Sequence, residues 1–193
     1  MKQFLESPNL LQTIALEIEK NSQQAERLVA GLSEGQLAWT SAPSTWSIAQ
    51  CLDHLATTSR AFEPYFISAI KRGHEKWPVR SHVPYRPSWV GGWLIKQVVP
   101  EATRKVPSPK VFQPSHTLAI ENVLEKFLKQ QAEFARFVRQ AEGLNYNKTR
   151  LRSPVTPLMR YSLADAFVVT VVHGWRHLAQ AQRMRETSGF PID

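Results

Sequence analysis

The chain has 193 residues, 42% of them hydrophobic, and a formal net charge of +8. That length fits one domain with a sizeable core, with or without a large insertion. Its single cysteine, Cys51, excludes an intramolecular disulfide, and its longest strongly apolar run, Ala166 to Val172, is far too short to span a bilayer. The opening residues Met1 to Glu6 lack the apolar run of a signal peptide. The expectation is a soluble, cytoplasmic protein in a reducing compartment. The charge is local: residues 71–110 hold nine basic side chains against two acidic ones, Glu75 and Glu101. Such a segment attracts an anionic substrate, a membrane surface or nucleic acid, or stands as a solvated basic loop.

Four helical segments are predicted in chain order. The first covers about 8–30, with Ser7 as cap, Pro8 in the first turn and Gly31 as stop. Leu11, Ile14, Ile18, Ala25, Leu28 and Val29 give it an apolar stripe. The second covers about 48–71. Ser47 and Gln50 have the spacing of a capping box, Gly73 is the expected stop, and Pro64 is expected to kink or divide the helix. Ile48, Cys51, Leu52, Leu55, Phe62 and Phe66 mark its buried side, flanked by His54 and Thr58.

A connection of about 73–114 follows, rich in proline and unusually long for a compact domain. Within it, 89–99 reads as a short helix. In a bundle, a crossover of this length lets successive helices run parallel. The third helix covers about 117–142, with Ser115 or Thr117 as cap, Gly143 as stop and an inner face that includes Phe127, Phe134 and Phe137. The fourth covers about 163–187, with Ser162 as cap, Asp165 at the third position and Gly189 beyond the end. Strand signals are weak throughout, so the fold class is all-α in one domain, 1–193.

The fourth helix carries His173-Gly174-Trp175-Arg176-His177. Histidines four apart share one helical face and can aim at one point. Small neighbours, Thr170, Gly174 and Ala181, leave space around them. Gly174 stands where a metalloprotease His-Glu-x-x-His motif has its general base, which counts against that activity. His54, on the inward side of the second helix, can complete a three-histidine site of the open, catalytic type. The plainer alternative is three core histidines satisfied by hydrogen bonds.

These residues carry a family resemblance. Trp46-Ser47-Ile48-Ala49-Gln50-Cys51-Leu52-Asp53-His54-Leu55 resembles the start of the second helix of DinB/YfiT-like proteins. The segment from Val172 to Arg183 resembles their final metal-binding helix, a late His-x-x-x-His followed by Gln and Arg. The resemblance extends over about residues 10–187 and implies a four-helix bundle of up-down-down-up topology, often dimeric. It implies a divalent ion, zinc or nickel, held by His54, His173 and His177. It also implies a metal-dependent enzyme acting on a small molecule, either a transferase for low-molecular-weight thiols of the bacillithiol type or a hydrolase. The long basic, Pro-rich crossover departs from the family pattern and leaves the substrate open.

Further residues are candidates. Arg176, Arg183, Trp89 and Trp93 could contact an anionic substrate, although packing is the simpler role for the tryptophans. Cys51 could close the site as a fourth ligand, or be a small core residue. Asp53 or Asp165 could orient a ligand histidine. His74, His82 and His116 could supply a general acid from the crossover, or be exposed. The alternative to an enzyme is a non-catalytic, metal-containing module whose basic 71–110 segment binds an anionic partner. Aromatics in that segment could stack on bases, but no nucleic-acid-binding signature accompanies them, so nucleic acid is the disfavoured partner.

Overall fold

In a computed structural model of the chain, residues 2–101, 108–115, 118–156 and 158–192 are described. The order of elements is α1 (Lys2–Leu5), α2 (Leu10–Val29), α3 (Glu34–Ala38), α4 (Ile48–Lys76), α5 (Trp89–Val98), α6 (Val123–Gln140), β1 (Arg150–Arg152), β2 (Arg160–Ser162) and α7 (Leu163–Arg185). Single 3₁₀ turns occur at Lys110–Phe112 and Ile120–Asn122. The protein is mostly helical, with one small antiparallel sheet. Both α4 and α2 pack against α6 and α7.

The buried apolar residues fall into two clusters. One gathers Ile14, Ile18, Phe62, Phe66, Phe134, Phe167 and Val171, among others. The other gathers Ala25, Leu28, Ile48, Leu52, Leu55, Phe127 and Leu178, among others. Between them each long helix places buried or half-buried polar residues. These are Asn21 on α2, Thr58 and Ser59 on α4, Gln130 and Gln131 on α6, and His173 and His177 on α7. Along the chain, α2 and α7 run from the first cluster to the second, and α4 and α6 run from the second to the first.

The helix ends follow from local chemistry. The Ser47 side chain accepts from the Gln50 N–H and the Gln50 side chain returns to the Ser47 N–H, closing the capping box on α4. Ser162 and Asp165 do the same on α7. Gly31, Gly143 and Gly189 have φ of 75°, 77° and 87°, a backbone region that L side chains rarely adopt.

Four expectations need correction. The cap of α2 is Asn9, which accepts from Gln12 N–H, while the Ser7 hydroxyl bonds to Thr13 instead. Pro64 does not divide α4: it lies on the exposed side, where water can take the carbonyl that loses its helical partner. Gly73 does not stop α4, which continues to Lys76. Glycine is required there because a Cβ would stand 2.8 Å from Thr149 Oγ1 and 2.9 Å from Leu144 Cδ2. The third helix begins at Val123, and Ser115 is not its cap, because its N–H donates to Asp53. Thr117 and His116 lie outside the described residues.

The crossover is anchored to the helices rather than left as a loop. Trp77 O accepts from Asn145 N–H, and Val79 N–H donates to Gly143 O. Ser88 caps α5. Asp165, fully buried, accepts from Tyr85 Oη at 2.8 Å and from Ser88 N–H while also closing the α7 cap. Burial and the neighbouring carboxylate push the Tyr85 hydroxyl pKa far up, so it remains a donor. Gly91 makes this approach possible, since a Cβ there would lie 2.0 Å from Asp165 Cγ.

Gly91→Ala should therefore destabilise the fold by about 1–3 kcal/mol through forced displacement of Asp165. Its neighbour is the control. Gly92 has only Pro87 Cβ, at 3.9 Å, in reach, so Gly92→Ala should be neutral or stabilise by up to about 1 kcal/mol as a helical Gly-to-Ala change. Urea denaturation of the two variants checks the pair; equal losses would refute this account of Gly91.

Candidate metal centre

The capped start of α4 sets His54 two turns into the helix, and the i, i+4 spacing on α7 sets His173 and His177 on one face opposite it. The three rings meet edge to face, with centroids 4.9 Å apart for His54–His173 and 4.5 Å for each of the other two pairs. One ring nitrogen from each lies within 4.8 Å of the others. His54 and His177 are buried, and His173 keeps partial exposure. Trp46, immediately before the α4 cap, covers two of them: its ring centroid is 4.6 Å from that of His54 and 5.6 Å, stacked, from that of His177.

The hydrogen bonding of His54 fixes its tautomer. Its Nδ1 is 2.5 Å from the carbonyl oxygen of Phe112 in the crossover. A carbonyl only accepts, so Nδ1 carries the proton and Nε2 presents a lone pair. That lone pair faces His173 Nε2 at 3.2 Å. Either a proton or a cation must lie between two such nitrogens. Two nitrogens bound at ordinary distances to one tetrahedral zinc stand about 3.3 Å apart, close to the spacing seen.

Burial keeps all three imidazoles neutral. Desolvation lowers the pKa of His54 against the opposing effects of the Phe112 hydrogen bond and nearby Asp53. Burial drives His173 well below the ordinary value, with further lowering from His177, His54 and Arg176. It takes His177 down to about 3, assisted by His54 and Arg176 and opposed by the Gln180 side chain. Neutral imidazoles are the ligating form.

The surrounding polar layer contains three buried atoms with no hydrogen-bond partner among the described residues: Thr58 Oγ1, Gln130 Oε1 and His177 Nδ1. Thr58 lies one turn beyond His54 on α4. A proton shared between His54 and His173 would leave the His177 nitrogen unsatisfied, at a cost of about 1–3 kcal/mol. The donor set and the orphaned His177 nitrogen fit a divalent ion coordinated by imidazoles.

None of the other candidates is in the three-histidine group, although Arg176 and Asp53 are close enough to act on its charge. Cys51 is buried with Leu52, Leu55 and Leu178 in the second apolar cluster and is not part of the histidine group. Burial pushes its thiol up to about 12. Neither aspartate orients a histidine. Asp53 accepts from Ser115 N–H at 2.7 Å, and Asp165 holds Tyr85 and Ser88. His74 bonds to Gln140 O at the far end of α4, and His82 is exposed. Arg176 donates to Val99 O at 2.9 Å, and Arg183 is exposed. Trp89 is 87% exposed and Trp93 49%. Residue patterns did not single out the Phe112 carbonyl, because any residue supplies one. The covering role of Trp46 had a signal in its place just before the cap, where a large apolar side chain often packs back on the helix.

No described helix is long and apolar enough to cross a membrane. No curated protein and no solved structure matches the chain. A family model does: the DinB superfamily model matches residues 17–181, a span that includes all three histidines and the capping boxes of α4 and α7, and the chain belongs to the DinB superfamily.

Proposed function

We propose that the protein is a metal-dependent enzyme of the DinB superfamily whose divalent ion, zinc or nickel, is held by His54, His173 and His177. The observation that carries this reading is the convergence of three neutral, buried imidazoles, one locked by the Phe112 carbonyl with its free nitrogen turned to its neighbours. Coordinating histidines commonly pass their second N–H to a backbone carbonyl in this way. No fourth His, Cys, Asp or Glu joins the group among the described residues, which leaves coordination positions for water or substrate.

The matching architecture is a four-helix bundle of up-down-down-up order. Its support is the order in which α2, α4, α6 and α7 visit the two apolar clusters. Helices α4 and α6 run the same way in that arrangement, so the chain between them must return the length of the bundle. That return path brings Phe112 to His54 and Ser115 to Asp53.

When bound, the ion would supply Lewis acidity, lowering the pKa of a water or a substrate thiol. The chain's own groups do the rest. Phe112 O fixes the proton of His54 on Nδ1. Burial keeps the other two imidazoles unprotonated at neutral pH. Trp46 covers one side and excludes water from it. The resulting reaction class is transfer to a low-molecular-weight thiol of the bacillithiol type, with hydrolysis of a small ester or amide as the other use of the same site. Arg176, Arg183, Trp89 and Trp93 are the residues proposed at the substrate side.

Elemental analysis of protein purified without a metal-binding tag should find about one zinc or nickel per chain. His54→Ala and His177→Ala should each lose it, and chelation should lower the Tm of the wild type but not of these variants. A wild type that neither contains nor takes up metal would overturn the assignment. Cys51→Ala should retain full metal content, since its thiol is embedded in the apolar cluster; loss of metal would mean that Cys51 closes the site.

Activity separates the two reaction classes. Metal-loaded wild type incubated with an electrophile should form a thiol adduct when bacillithiol or another low-molecular-weight thiol is present, and little product in buffer without thiol. His173→Ala should lower that rate by at least about a hundredfold. Product formed at equal rate with and without thiol would assign a hydrolase instead.

A further inference from the structure

We propose that the cleft between the C-terminal half of α4 and the β1–β2 hairpin is a second binding site, for a compact ligand carrying two or more phosphate groups. The cleft has a volume of about 750 Å³, within the range of small-molecule sites. It does not touch the histidines: Arg72 stands 18 residues beyond His54 on one helix, about 27 Å along its axis. The proposal is independent of the metal centre.

Six cations line the cleft, Arg72, Lys76, Lys148, Arg150, Arg152 and Arg160, and no carboxylate does. None of the six makes an ion pair with a carboxylate among the described residues. The hairpin forces three of them outward. Leu151 and its register partner Tyr161 are buried, so strand alternation turns Arg150, Arg152 and Arg160 to the other face.

Arg152 and Arg160 are themselves direct cross-strand partners, both exposed. Like charges opposite each other destabilise a sheet. A two-stranded ribbon of three residues per strand has little stability to give up, so this repulsion calls for a counter-anion between the two guanidinium groups. Arg72 is pre-positioned. It donates to the Ser68 hydroxyl and, through Nη2 at 3.1 Å, to Arg150 O, which ties α4 to the hairpin across the cleft. On the same wall Lys148 Nζ lies 5.1 Å over the Trp77 ring, and Tyr65 adds a second aromatic surface.

Planar guanidinium forks with no carboxylate partner are the chemistry of phosphate recognition. A single phosphate would leave most of the six charges uncompensated. A diphosphate or a nucleoside diphosphate fills the volume and spans both the hairpin and the helix. The volume of the cleft, about 750 Å³, suits such a compact ligand better than a long nucleic-acid strand.

Isothermal titration of the full-length protein with inorganic pyrophosphate, and separately with ADP, tests this at low and at high salt. The wild type should bind at one site, more weakly as salt rises. Arg152→Ser combined with Arg160→Ser should weaken binding by at least about tenfold, the loss expected for two charge-assisted contacts. This variant should keep its Tm, because the substitutions remove a repulsion. A control with Lys20→Ser and Arg139→Ser, on another face, and His173→Ala at the metal centre should both bind as the wild type does. If the hairpin variant does not fold, Lys76→Ser with Lys148→Ser carries the same expectation. Absence of binding by either probe overturns the proposal, as does binding unchanged in the cleft variants or lost in His173→Ala. Binding of a twenty-nucleotide oligothymidylate without binding of pyrophosphate or ADP overturns it too, and assigns the surface to a polymer.

Discussion

Everything about this molecule turns on a polar layer set across an otherwise apolar interior. Each long helix contributes to it, and two hydrophobic clusters close over it from either side. Burying imidazole, amide and hydroxyl groups costs free energy unless each finds a partner. Here the cost is only partly offset: the Phe112 carbonyl serves His54 and the Val171 carbonyl lies 3.5 Å from Asn21 Nδ2, but Thr58, Gln130 and His177 each retain an unsatisfied atom. Gly174 belongs to the same accommodation, since a Cβ there would come within 2.5 Å of the Asn21 amide. Such a layer weakens a bundle as a bundle. Three of its members, the histidines, are grouped so that they could hold a metal ion.

That constraint also accounts for the crossover. A histidine ligand whose ring can rotate is a poor ligand, and the group that fixes His54 is delivered by residue 112, far from it in sequence. The crossover must then be held in place near residue 112. Two buried carboxylates do this. Asp53, one residue before His54, accepts the Ser115 N–H, and Asp165, in the first turn of the helix that carries the other two histidines, holds Tyr85 and Ser88. Each acid thus couples a histidine-bearing helix to one end of the crossover. They make no hydrogen bond to the rings; Asp53 holds Ser115, three residues from Phe112.

Much of this was legible in the sequence because it is written in local rules. The Ser47–Gln50 and Ser162–Asp165 boxes, the apolar stripes and the short helix at 89–98 follow from spacing alone, as does the placing of His173 beside His177. What escaped depends on tertiary partners. Gly73 reads as a helix stop until Thr149 and Leu144 are seen pressed against it. Pro64 reads as a break until its side of the helix is known to face water. Asp53 reads as a partner for a ligand histidine until its own partner is seen to be a backbone N–H sixty-two residues away. The β1–β2 hairpin, with three residues per strand, is too short to show a period. The basic surplus of 71–110 was plain as composition, yet among the described residues only Arg72 and Lys76 of it line the cleft with the arginines of that hairpin, which composition alone could not assemble.

The two charge environments are therefore separate in kind. Around the histidines, positive charge is disfavoured: burial and mutual repulsion hold the imidazoles neutral, and nearby Arg176 lowers the pKa of His173 and His177 further. Imidazoles kept unprotonated in this way retain the lone pairs with which they could hold a metal ion. At the other end of α4, cations accumulate in the absence of lining carboxylates, with two of them opposed across a sheet. A protein stabilised only by its own contacts would gain by changing either arrangement, replacing the polar layer with leucine and one of the facing arginines with glutamate. Keeping both leaves stability unclaimed at two places some 27 Å apart on one helix. The two places would take opposite complements, a metal ion at the histidines and, on the proposal made for the cleft, a multiply charged anion at the other.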